Sequence, residues 1–362
     1  MKELNLQKYL RSGKSIDDLK NELHINYSVH SEYKNLILFK YNQFDSSRYN
    51  PIVNECRGII LDSSDNWNAV SFPFYRFYNY GEVFAAQIDW DSAAVQEKLD
   101  GSLIIMYHYN DSWMVSTSGT ADAKGNVHNG SKSFNDYFWE TSQKTLPSNW
   151  LENARSDHCY MFELMGPLNR TVVFYPEANL KLIGCRNVKT FKEVPVIKAI
   201  NHFNGLEAVK QFDLKSIDEI TNSLEDLPPT SQEGYVVVDK YFNRIKIKSP
   251  SYVALHHAKD GLSPKNMIEI ARSGEVSEII SYFPEYKKML DEMSDKFSKL
   301  VSKYENYYSS ICHIEDMKEF ALKNKIENPG ILFAVKRGKA ASVREALCNA
   351  HIDLISKMME GF

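Results

Sequence analysis

The sequence predicts an α+β fold in two parts: a domain of antiparallel sheets with flanking helices over residues 1–254, then an all-helical domain over residues 255–362. Between about Asn35 and Lys248 the chain is built of short, aromatic-rich runs in which apolar and polar residues alternate between turn residues, the signature of half-buried antiparallel strands. Beyond about Leu255 the alternation stops. Met289, Leu290, Met293, Phe297, Leu300, Val301 and Tyr304 then recur at helical spacing through a segment rich in Lys, Asp and Glu, which reads as a core-facing stripe. At 362 residues the chain also exceeds what one ordinary hydrophobic core serves, so two domains are expected.

In chain order, strands are expected over Leu36–Tyr41, Gly58–Leu61, Leu103–Tyr109, Trp113–Thr117, Tyr160–Leu164, Thr171–Tyr175, Leu180–Cys185, Tyr235–Val238 and Arg244–Lys248. Phe134–Thr141 and Asn204–Phe212 read as surface helices, and Ser216–Leu224 as a helix whose opening serine suits an N-cap. Pro228 to Ser231 forms a loop before a strand, and Asn328-Pro329-Gly330 breaks the helical part.

The formal net charge is −4, so no global basic field advertises nucleic acid and such a partner must be held by a local patch. The helical part carries as many basic as acidic residues and is not a basic arm. The cysteines are odd in number and lack a C-x-x-C pair, which fits reduced thiols in a cytoplasmic protein. No apolar run approaches the roughly 18 residues of a membrane span, and Met1 to Lys14 lacks a signal-peptide apolar core, so no membrane partner is expected.

The chemistry concentrates in Lys98-Leu99-Asp100-Gly101-Ser102. A lysine amine attacks phosphorus only where lost hydration or neighbouring cations favour its neutral form, and Gly101 would let a phosphate-bearing ligand approach the backbone. A lysine before an Asp-Gly turn also arises by chance, so its companions decide. Arg57-Gly58 lies upstream. Downstream, Arg244, Lys246 and Lys248 alternate along one strand and share a face, with Ile245 and Ile247 on the other. That face suits phosphates, or equally an edge strand protected by lysines. Glu163 is a carboxylate within a hydrophobic run and needs a partner: a ribose hydroxyl, a metal-bound water or a structural salt bridge. Glu233-Gly234 opens the strand before the lysine pair. A P-loop is excluded by the absence of G-x-x-x-x-G-K-[ST].

The ordered set R-G, K-x-D-G, a strand glutamate, E-G and K-x-K resembles the covalent lysyl-nucleotidyltransferases. E-C-R-G-I-I, P-F-Y-R-F-Y-N, E-K-L-D-G-S-L, F-E-L-M-G-P-L-N-R-T-V-V and I-K-I-K-S-P-S-Y-V-A-L-H are similar to the bacteriophage RNA ligase 1 family across the catalytic region. The resemblance implies an ATP-grasp-like nucleotidyltransferase domain with Lys98 as the AMP acceptor, Glu163 as a ribose contact, and Lys246 and Lys248 on the ATP phosphates. Arg57 and Arg76 would contact the nucleotide or an RNA phosphate, Tyr41 would lie near the adenine, and Glu233 would orient the lysine or a hydrated metal. Mg2+ or Mn2+ is the implied ion, and Glu278 is the nearest candidate for the carboxylate that the family carries in its first C-terminal helix. Two departures stand out: Arg76 replaces a lysine frequent in the family, and Ser118 in Ser116-Thr117-Ser118-Gly119 replaces a lysine that some members carry, leaving one phosphate contact open.

The implied activity is ATP-dependent joining of 5′-phosphate and 3′-hydroxyl RNA ends through lysyl-AMP and an adenylylated RNA end. The implied substrates are broken tRNA anticodon loops, selected by the helical domain, and the implied state is a monomer in the cytoplasm, that of the host if the source is a phage. A DNA ligase or GTP-using capping enzyme would instead append an oligonucleotide-binding barrel after the K-x-K strand. A non-catalytic RNA-binding relative would have lost charged residues that are all present here.

Overall fold

A computed structural model of the chain describes residues 3–127, 132–225, 227–228, 230–257, 263–282 and 284–362. It divides into two units, Met1–His256 and His257–Phe362.

Unit 1 opens with helices α1 (Asn5–Arg11) and α2 (Ile16–Leu23). Ser15 caps α2 by accepting the Asp18 amide while the Asp18 carboxylate accepts the Ser15 amide, closing a reciprocal pair of otherwise orphaned donors. Strands β1 (Ile25–Val29) and β2 (Leu36–Tyr41) follow, then α3 (Pro51–Glu55), β3 (Arg57–Asp62) and β4 (Asn68–Ser71), which give a first sheet of order β1-β2-β3-β4. Leu6, Leu10, Phe39, Ile59 and Phe72 form its core with α1.

The remaining elements of unit 1 are β5 (Tyr78–Asn79), β6 (Ala94–Lys98), β7 (Ser102–Tyr109), β8 (Ser112–Ser116), α4 (Phe134–Thr145), β9 (His158–Met165), β10 (Asn179–Asn187), β11 (Glu193–Val194), α5 (Val196–Ala199), β12 (Glu207–Ala208), β13 (Gln211–Phe212), α6 (Ile217–Glu225), β14 (Gly234–Val238), β15 (Arg244–Lys248) and α7 (Pro250–His257). A second sheet runs β11-β10-β9-β7-β8, with β12 beside β10, and a third runs β13-β6-β14-β15-β5. Helix α4 extends beyond the expected surface helix and buries Tyr137 and Phe138 with Trp150, Phe162 and Phe203 in the core of the second sheet. Helix α6 covers the third: Ile220 and Leu224 meet Val95, Val237, Ile245 and Ile247. The apolar face of β15 thus faces inward, and Ser216 accepts the Glu219 amide at the helix start.

Two expected elements differ. Asn204–Phe212 is not a helix: Glu207 and Ala208 pair with Lys181 and Leu182 of β10, and Gln211 and Phe212 pair with Gln96 and Val95 of β6. The segment stitches two sheets together, and these ladder bonds prevail over its helical periodicity. Nor is Thr171–Tyr175 a strand, because the amides of Val172 and Val173 donate to the Asp100 carboxylate at 2.8 and 2.7 Å rather than to a neighbouring strand. Within the expected loop at 228–231, Pro229 lies outside the described residues. Residues 254 and 255, where the sequence changes character, lie inside α7.

Unit 2 consists, among the described residues, of α8 (Pro264–Ser273), α9 (Val276–Tyr282), α10 (Lys287–Ile311), α11 (Met317–Lys323), α12 (Gly330–Lys336), α13 (Val343–Cys348) and α14 (Ile352–Met359), with short turns between them. Leu290, Phe297, Leu300, Val301 and Tyr304 line the buried side of α10. Met289 departs from the expected stripe and is 46% exposed, since one residue of a helix turns the side chain by about 100°. Asn328, in the left-handed region at φ 56°, makes the break before α12. Among the described residues no helix is long and apolar enough to cross a membrane.

Candidate active site

Lys98 ends β6, directly opposite Gly234 of β14, and Gly234 is opposite Lys248 of β15 on its other side. The register therefore brings lysines from two outer strands to the start of the middle one, where Glu233 stands. Glu233 is buried at 4% exposure and bridges them, ion-paired with Lys98 through one carboxylate oxygen and with Lys248 through the other at 3.3 Å. The lysine's first partner is thus a carboxylate, with the cations of β15 behind it.

A cavity of about 290 Å³ opens here. Arg57, Lys98, Gly101, Glu163, Lys246 and Lys248 line it together, as does Phe77, over whose ring lie the Arg57 guanidinium at 5.1 Å and the Lys246 ammonium at 5.6 Å. Loss of water pushes the Glu163 carboxyl up to about 8; nearby Glu233 and Asp100 reinforce this and Lys98 opposes it. Near neutral pH Glu163 is therefore largely a neutral acid, able to donate as well as accept. Burial also lowers Arg57 from its usual value, and its buried Nη1 has no partner within the protein.

Asp100 and Gly101 hold this site from behind. Asp100, 5% exposed, accepts the amides of Val172 and Val173 with one oxygen and the Tyr252 hydroxyl with the other at 3.0 Å. Its own amide donates to the Tyr175 hydroxyl at 3.4 Å. Gly101, which lines the cavity, also serves close packing: a Cβ there would stand 2.5 Å from the Leu164 carbonyl oxygen.

The expected cationic face of β15 is shorter than the sequence implies. Arg244 is buried and neutralised, its guanidinium donating to both oxygens of Glu193 at 3.0 and 2.6 Å, and Arg186 pairs with the same carboxylate. Lys246 and Lys248 line the cavity without such a bidentate clamp. Tyr41 and Arg76 do not line the cavity. The Arg76 guanidinium lies 4.1 Å over the Tyr41 ring, and Arg76 lines a larger neighbouring cavity of about 750 Å³ that shares Phe77 and Arg244 as its wall.

Glu278 belongs to α9 of unit 2, and no group of three His, Cys, Asp or Glu side chains suited to a metal occurs among the described residues. A protein-built cage around Glu278 is therefore not found. Asp100 and Glu193 are the positions whose importance the sequence understated: the first was legible only as a companion of the lysine, and the second gave no local signal because its partner Arg244 lies 51 residues on.

Comparisons with known proteins bear on this arrangement. A family model described as RNA ligase matches residues 55–252, more than half of the chain. An RNA ligase of Rhodothermus phage RM378 is 28% identical, over 76% of this chain and 77% of that protein. A putative bifunctional polynucleotide kinase/RNA ligase of Autographa californica nuclear polyhedrosis virus is 28% identical over 75% of this chain, which spans 40% of that larger protein. Among solved structures, an archaeal ATP-dependent RNA ligase matches with a TM-score of 0.50 at 14% identity, covering 83% of each chain, a likeness of fold.

Proposed function

We propose, for a chain that belongs to the phage RNA ligase family, that it seals RNA through a covalent lysyl-AMP formed on Lys98. The observation that carries this reading is the Glu233 bridge: one buried carboxylate holds Lys98 at the cavity and ties it to the K-x-K strand. In the first step the Lys98 amine attacks the α-phosphorus of ATP; a P–N bond forms and the bond to pyrophosphate breaks. Glu233 is placed to take the proton that the ammonium must lose. Negative charge grows on the non-bridging oxygens, and Lys246 and Lys248 supply cations already fixed in place by the sheet. Glu163, with its raised affinity for a proton, meets the ribose hydroxyls.

In the second step a 5′-phosphate oxygen of RNA attacks the same phosphorus, the P–N bond breaks and Lys98 regains its pairing with Glu233. In the third, a 3′-hydroxyl attacks the adenylylated 5′-phosphate, the strand is joined and AMP leaves. Mg2+ or Mn2+, bound largely through water as hard cations prefer, would screen the charge of the triphosphate. No residue role above depends on it.

Unit 2, with its own core around Phe297, Leu300 and Phe320, is assigned the choice among RNA substrates, broken tRNA anticodon loops included. The chain acts as a monomer in the cytoplasm in this reading. The deciding experiment incubates the protein with α-labelled ATP and magnesium without RNA, then resolves it under denaturing conditions. Acid-labile label on the wild type and none on Lys98→Ala is expected; label that persists in the variant would remove Lys98 from the mechanism.

A further inference from the structure

Strands β2 and β3 place two cations directly opposite each other, Lys40 across from Arg57. Like charges facing across an antiparallel pair are unfavourable by themselves. Neither residue forms a salt bridge among the described residues; the Arg57 charge is met only by the Tyr41 hydroxyl and by Glu163, which burial leaves largely protonated. Lost hydration and the Arg57 charge hold the Lys40 ammonium below its ordinary value.

The pairing is made by a bulge. Phe39 is opposite Ile59 and Lys40 opposite Arg57, so Gly58 is the extra residue, at φ +92°. A Cβ on Gly58 would come 3.0 Å from the Ser118 Cα, and the Lys40 ammonium nitrogen lies 3.6 Å from where a Gly119 Cβ would be. Lys40, Arg57 and the Ser118–Gly119 turn therefore converge at the Arg57 wall of the catalytic cavity. Arg57 contributes a buried Nη1 with no partner. Two cations without a salt bridge among the described residues, one with an unpartnered buried nitrogen, beside a turn without acidic residues, suit an anion.

We propose that Lys40 and Arg57 form a phosphate subsite at the Gly58 bulge, in which Lys40 supplies from β2 the ammonium that Ser118 does not supply from the 116–119 turn. The assignment rests on the adenylyl-transfer reading of Lys98 and names a further residue for it. The phosphate is either the pyrophosphate portion of ATP or the 5′-phosphate of RNA, two sources with the same oxygens.

The test measures each step separately in the full chain. Lys40→Ala should slow adenylate formation by about tenfold or more if the anion comes from ATP, or leave it intact and equally slow transfer of AMP to a 5′-phosphorylated oligonucleotide if it comes from RNA. Either loss supports the subsite. Lys40→Arg should keep the rate within about threefold while Lys40→Gln should not, and adding Ser118→Lys to Lys40→Ala should recover activity. Without ligand, Lys40→Ala should melt no lower than wild type, since a repulsion has been removed, and its melting temperature should rise less with inorganic pyrophosphate. The subsite is overturned if Lys40→Ala leaves both steps within about twofold, or if Arg and Gln lose equally, which would assign the effect to packing instead of charge. Failure of the wild type to take label from ATP would defeat the Lys98 reading instead, and the pyrophosphate shift of wild type against Lys40→Ala would still judge Lys40.

Discussion

The Tyr252 hydroxyl donates to the Asp100 carboxylate at 3.0 Å, joining α7 to the loop that presents Lys98. The same carboxylate orders residues 172 and 173, so one side chain couples three segments far apart in sequence. Tyr252→Phe should destabilise by about 1–2 kcal/mol, the worth of one hydrogen bond to a charged group. Asp100→Ala should cost more, on the order of 3 kcal/mol, because two buried amides lose their acceptor. Thermal or urea unfolding of the two variants gives the comparison, and equal small losses would show that the carboxylate does not organise the loop.

Removing Lys98 should leave the fold nearly untouched. Glu233 keeps its pairing with Lys248 at 3.3 Å, so Lys98→Ala does not strand a buried charge. Circular dichroism and melting should match wild type within about 1 kcal/mol while adenylate formation vanishes. A large loss of stability would mean that Lys98 is chiefly a structural ion-pair partner.

On β15 the three basic residues should separate by kind of effect. Lys246→Ala and Lys248→Ala should each slow adenylate formation by about tenfold or more, equivalent to about 1.4 kcal/mol of transition-state stabilisation. Arg244→Ala should instead lower stability, by on the order of 3 kcal/mol, since it breaks a buried pair with Glu193. Uniform, mild effects at all three positions would reduce the lysines to edge protection.

Glu163 should leave a mark on the pH dependence of stability. Its carboxyl ionises near the ordinary 4.5 when unfolded and at about 8 when folded. Between those values the folded state holds the extra proton, so stability falls as pH rises through this window and the full penalty is present above about 8. Glu163→Gln should flatten that decline in a series of urea titrations. An unchanged slope in the variant would contradict the raised value.

Residues 1–256 hold the cavity and separate hydrophobic cores, so this fragment should still react with ATP and lose most discrimination between a nicked anticodon loop and unstructured RNA. An unreactive fragment, or one with the selectivity of the full chain, would place the division of labour elsewhere.

Much of this site was legible because it follows strand alternation. Lys246 and Lys248 share a face by period two, and the β6–β14–β15 register carries Lys98 and Glu233 to them. What was not legible depends on contacts between distant segments. Arg244 obeys the same alternation, yet its guanidinium is bound by Glu193; Tyr41 stands in a motif of its own, and the contact that the Arg76 guanidinium makes over its ring comes from a segment 35 residues on. Asn204–Phe212 has helical spacing, but its amides and carbonyls find partners on two sheets. Local pattern reports which face a side chain takes, and tertiary packing decides what already occupies that face.

Within K-L-D-G, the close approach of Gly101 to the Leu164 carbonyl and the anchoring role of Asp100 divide the tetrapeptide into two kinds of inheritance. The aspartate and glycine are demanded by the scaffold whether or not any nucleotide is transferred, whereas in the proposed mechanism the lysine answers to chemistry. A descendant that abandoned catalysis would be free to change Lys98 first and would go on carrying Asp100 and Gly101. Within this fold, then, Asp100 and Gly101 report on the scaffold, and the residue two places before the aspartate reports on the proposed adenylyl transfer.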